Sequence, residues 1–147
     1  MLVNDAISLL ARELRDVNLP YQFTDDDLFS ALVDGIDELN AIYHQQFLVS
    51  GSGASATISP EPDSTEKKIW LMSSAIILVN GERVRTAASA LVLSNAGGRT
   101  DLTGLPEALG SALGGFRNRL SKFIELAQRQ ITENQMISRE KTRQVTE

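Results

Sequence analysis

The sequence predicts an all-α protein: a small bundle of about four helices. Three observations carry that prediction. Residues 4–17 place Ala6, Ile7, Leu10, Leu14 and Val17 at helical spacing. The stretch FTDDDLFSALVDGIDELN, residues 23–40, combines a helix-start signal with an amphipathic pattern. Leu109, Leu113, Phe116, Leu120, Phe123, Ala127 and Ile131 recur at spacings of four and three, an apolar stripe along one long helix.

In chain order, the first helix has Asn4 as its expected N-cap, and the pattern breaks at Pro20. Thr24 then caps a second helix whose first turn holds Asp25, Asp26 and Asp27. Carboxylates there meet the positive end of the helix dipole. Leu28, Leu32, Ile36, Leu39 and Tyr43 fall on one side of this helix, which is expected to run to about Leu48. Asp27, Asp34, Asp37 and Glu38 fall on the other side, as a wet acidic face. The acid cluster therefore reads as a helix start plus a solvated face. A calcium loop needs alternating oxygen ligands and a turn glycine, which a leucine-rich helix does not supply.

Residues 49–63 read as a long loop of small residues, glycine and proline. Asp63 and Glu66 have capping-box spacing before IWLMSSAIILV, apolar nearly all round and so buried on most sides. Trp70 and Met72 are expected in the core or at a subunit contact. Asn80-Gly81 is expected to end this helix or make a tight turn. Residues 80–104 read as a loop or short extended stretch, with 82–96 open to strand or helix. Pro106 suits the first turn of the fourth helix. Gly110, Gly114 and Gly115 mark either close approach of another helix or a late helix start. Residues 1–134 form one helical domain in this reading, and 135–147 a flexible, polar C-terminal tail.

Composition narrows the function classes. There is no cysteine, so no disulfide, thiolate nucleophile or cysteine-ligated metal. His44 is the only histidine and sits beside Gln45 and Gln46, without a nucleophile motif. AGGR, residues 96–99, lacks the spaced glycines and Lys-Ser/Thr ending of a phosphate loop. No catalytic residue, metal ligand or cofactor is expected. The start lacks a signal peptide's continuous apolar stretch, and no run is long enough to span a bilayer, so a soluble protein made in a cytoplasm is expected.

Charge is unevenly placed. Residues 1–66 carry twelve acids and two bases; residues 67–147 carry seven acids and twelve bases. Such asymmetry points to a charged partner or to another copy of the chain, against the plain alternative of two solvated faces. Arg117, Arg119 and Lys122 form a basic group. With Trp70 and Ile77 they are the candidate subunit interface.

The order of a short helix, YQFTDDDLFSALVDGIDELN, a loop, EKKIWLMSSAIILV, the loop NAGGRTDLTG and a long helix with a polar tail resembles the head–tail adaptor proteins of tailed bacteriophages, also called connector or head-completion proteins. The resemblance covers residues 1–134 as an order of elements and includes no diagnostic motif. It implies a non-enzymatic virion protein at the head–tail junction, assembled in the host cytoplasm. It implies a ring of about twelve copies under the portal, extending the DNA channel and seating a tail-side neck or tail-completion protein. DNA would pass through without sequence-specific binding, and no membrane is involved. In such proteins C-terminal segments can dock on the portal, which makes Met136, Ile137, Arg139, Lys141, Arg143 and Val145 candidate docking residues. Two other classes fit the same residues: a different neck or tail-completion component, and a cytoplasmic helical interaction or regulatory module.

Overall fold

In a computed structural model, residues 2–16, 23–43, 46–95 and 104–145 are described, and they build an all-α bundle with one small hairpin. Helix α1 is Val3–Asp16 and α2 is Asp25–Tyr43. Strands β1, Leu48–Ser50, and β2, Thr57–Ser59, flank a single 3-10 turn at Gly53–Ser55. Two long helices follow: α3, Ser64–Asn95, and α4, Gly104–Val145.

Helix α1 buries Val3, Ala6, Ile7, Leu10 and Leu14, the expected stripe extended back by one position, while Val17 lies outside the described residues. Asn4 is not its cap. The helix starts at Val3, whose N–H donates to the Ala56 carbonyl at 2.9 Å. The hairpin thus satisfies a backbone donor that a capping side chain would otherwise have to meet. Leu2 also bridges to Thr57, so the chain start lies along β2.

Helix α2 stops at Tyr43, short of the expected Leu48. The Asn40 side chain explains the turn. Its Oδ1 accepts the Phe47 N–H at 2.6 Å and its amide donates to the Phe47 carbonyl at 3.1 Å. These two bonds stand in for backbone pairing and redirect the chain into β1. The expected loop at 49–63 therefore contains an antiparallel pair, Leu48 opposite Ser59 and Ser50 opposite Thr57. Gly51, at φ 89°, makes the turn a side chain would strain. Phe47 and Ile58 point into the core.

Helix α3 is the spine. Residues 69–75 are buried on every side, as their all-round apolar character predicts. It packs against α1, α2 and α4, whereas α2 and α4 share little contact among the described residues. Asn80-Gly81 does not end it. A glycine in a helix costs about 1 kcal/mol, and the following turn is tied by a 3.0 Å Glu82–Arg85 ion pair and a 3.4 Å Thr86–Glu82 hydrogen bond. The helix continues to Asn95, which settles residues 82–95 as helix; residue 96 lies outside the described residues.

Helix α4 starts at Gly104, not near Gly115. A Cβ at Gly110, Gly114 or Gly115 would meet nothing within 4 Å among the described residues, so close approach there does not explain these glycines. Helix backbone continues through the expected tail to Val145.

The tight glycine is Gly35. A Cβ there would overlap the Ser74 hydroxyl oxygen and come within 3.3 Å of both the Ser74 backbone nitrogen and Trp70 Cδ1. Beside it, Trp70 Nε1–H donates to the Leu32 carbonyl at 2.7 Å. Gly35→Ala is expected to destabilise the protein by about 1–3 kcal/mol, the usual range for overpacking. Adding Ser74→Ala removes the overlapping hydroxyl and should recover part of that loss. Urea unfolding of both variants measures it; an unchanged midpoint for Gly35→Ala would contradict the close packing.

Candidate functional site

The candidate site consists of two charged faces and a groove. The first face is on α2, which carries six carboxylates and no base. Asp27, Asp34, Asp37 and Glu38 are all exposed, as the wheel predicts. None of them forms an ion pair with a described residue.

Asp27 also holds the helix start. Thr24 Oγ1 accepts the Asp27 N–H at 3.2 Å, and Asp27 Oδ2 accepts from the Thr24 N–H at 3.0 Å and the Thr24 hydroxyl at 2.7 Å. This is a capping box with aspartate as the reciprocal partner. The Thr24 hydroxyl, then the Thr24 N–H, hold the Asp27 carboxyl below the ordinary aspartate value of 3.8. Oδ1 takes no part in these bonds. The Asp63–Glu66 box opening α3 forms as expected, with bonds of 2.7–2.8 Å.

Between α2 and α3 lies an open groove of about 280 Å³. Asp27 and Asp34 line it from α2, Glu82 and Arg85 from α3, with Ala31, Ile77 and Leu78 supplying apolar surface. Burial raises the Glu82 carboxyl above its ordinary value; the Thr86 hydrogen bond opposes that, and the Asp27 charge adds to it. The groove is thus a place where negative charge is already crowded.

The second face is the outer side of α4. Lys122 and Arg129 are exposed there, about 20° apart on the wheel, with Glu125 and Glu133 exposed on the same side. Arg117 stands apart from the other two: it lies about 160° from Arg119 and about 140° from Lys122 around the helix, whereas Arg119 and Lys122 are about 60° apart on one side. Arg119 pairs with Glu13 of α1 at 2.7 Å, so it serves the fold. Arg117 is exposed. Lys68 of α3 sits 5.4 Å from the Phe123 ring centroid, a cation–π contact that ties α4 to the spine.

Other expected positions fall differently. Trp70 is fully buried and hydrogen-bonded inside the chain, so its indole serves the core and offers no surface to a neighbour. Ile77 is half-buried on the groove wall. Met136 and Ile137 are exposed on α4 at 63% and 51%. Arg139, Lys141, Arg143 and Val145 lie on the same helix backbone, with side chains outside the described residues. His44 and residues 96–103 also lie outside them. Among the described residues no group of three His, Cys, Asp or Glu side chains is placed to hold a metal ion. No described helix is long and apolar enough to cross a membrane.

Sequence reasoning missed the groove and the Gly35 contact. Gly35 lies between Leu32 and Leu39 on the apolar face, and Ser73-Ser74 interrupts the apolar run of α3. Small residues at facing positions were the available signal. No protein-family model, curated protein or solved structure significantly matches the chain.

Thr24→Ala is expected to cost about 1 kcal/mol at neutral pH, the usual value of a lost N-cap. Asp27's folded pKa is depressed, so its contribution is complete above pH 3.8 and fades as pH falls below it. The stability gap between wild type and Thr24→Ala should therefore narrow in acid. Thermal melts across that range measure it, and a constant gap would contradict the capping box.

Proposed function

We propose that this chain is a head–tail adaptor of a tailed phage: a structural, non-enzymatic virion protein at the neck. Copies form a ring of about twelve beneath the portal. The ring extends the DNA channel and gives a tail-side neck protein its platform.

One observation supports this reading above the others. The negative helix α2 and the net positive helix α4, with seven bases and four acids, pack on the same spine, α3, and touch each other little. A chain with opposite charges on two separate faces favours a heterologous contact, in which one face of a copy meets the other face of the next. Such contacts close a ring when the rotation per copy permits. Helix α4 adds reach: its 42 residues span about 63 Å at 1.5 Å per residue.

Mixing the purified chain with portal rings and imaging the product by electron microscopy tests the proposal. A ring of added density on one end of the portal is expected. Portal rings that stay bare at saturating chain would overturn it.

A further inference from the structure

We propose that neighbouring copies pair through the Asp27–Asp34 rim of the α2–α3 groove on one chain and the Lys122–Arg129 face of α4 on the next. This pairing rests on the ring reading above and names the surfaces that make the ring.

Spacing is the first argument. Asp27 and Asp34 are seven residues apart on α2, and Lys122 and Arg129 are seven residues apart on α4. On a straight helix each pair spans about 10.5 Å along one side. The two pairs therefore coincide in either helix direction.

Availability is the second. All four side chains are exposed, and none is in an ion pair with a described residue. Asp27 keeps Oδ1 outside its capping bonds. Arg119, by contrast, is already engaged with Glu13.

Fit is the third. Ala31, Ile77 and Leu78 line the groove between the acids. Lys and Arg carry aliphatic stems that cover apolar surface while the charged head stays at the rim. Asp27, Asp34 and Glu82 outnumber Arg85 there, so an incoming cation relieves like-charge crowding. The outer side of α4 also carries Ser111, Gly114, Gly115 and Asn118, all exposed, which leaves room for a second helix to lie close. Nothing among the described residues fills that room at the two glycines.

The test uses two charge variants of the full chain. Asp34→Lys breaks the acidic face, and Lys122→Glu with Arg129→Glu breaks the basic face; Asp27 is left intact because it caps α2. Analytical ultracentrifugation at low salt reads self-association, and circular dichroism verifies that helix content is retained. Each variant alone should associate at least about tenfold more weakly than wild type. Mixed, they should form a one-to-one pair that grows no further, because each supplies the face the other lacks. Asp34→Lys combined in one chain with either Lys122→Glu or Arg129→Glu should restore association for the one base that faces position 34, and failure of both combinations would overturn the pairing. Wild-type chain that stays monomeric at low salt, or variants that associate as wild type does, would overturn the pairing. Imaging each protein with portal rings separates the two readings. Self-association that follows these charges without portal binding sinks the adaptor and keeps the pairing. Portal rings decorated equally by all variants sink the pairing and keep the adaptor.

Discussion

Helix α2 lies against α3 at this distance only because Gly35 has no side chain. The gap a Cβ would need is filled by the Ser74 hydroxyl and the edge of Trp70. That closeness also lets the Trp70 indole reach the Leu32 carbonyl, an acceptor on the neighbouring helix. Burying an indole removes about 150–250 Å² from water, a contribution of about 4–6 kcal/mol at 25 cal/mol per Å². A single glycine thus sets the geometry in which the largest core side chain is both packed and hydrogen-bonded.

The electrostatics follow from that packing. Since α2 is held by apolar contacts and one indole bond, its outer carboxylates are not needed to attach it. They can accumulate on the wet side, and only Asp27 doubles as a cap. The spine separates them from the net positive helix α4, so opposite charges do not cancel within one copy. Where the fold does need a charge pair, it uses Glu13 and Arg119, which join α1 to α4. An exposed pair of this kind contributes about 1 kcal/mol or less, small beside the core.

Periodicity made most of the fold legible. The apolar stripes of α1, α2 and α4, the all-round apolar run of α3 and the capping residues Asp63 and Glu66 were all readable, because each is a local pattern. The misreadings have non-local causes. Asn80-Gly81 looked like a helix end, but packing along the spine and the Glu82–Arg85 pair outweigh a propensity cost. Residues 49–59 looked like a loop because strands of three residues leave too little alternation to detect. Asn40, which turns the chain there, makes its bonds seven positions away. Arg117, Arg119 and Lys122 looked like one basic group because they are close in sequence; the helix turns Arg117 away from the other two, and Arg119 is taken by Glu13. The acidic face was legible, but the groove beside it was not, since half of its wall comes from residues about fifty positions further on.

Beyond the Asp27 cap, the fold leaves Asp34, Asp37 and Glu38 of α2 free of structural duty. The most direct measurement is urea unfolding of the triple variant Asp34→Asn, Asp37→Asn, Glu38→Gln. An unfolding free energy equal to or above that of wild type is expected, because like charges on one helix face repel by a few tenths of a kcal/mol per pair. A loss of more than about 2 kcal/mol, well outside the range of ordinary surface substitutions, would show that the carboxylates hold the helix in place and would contradict the account.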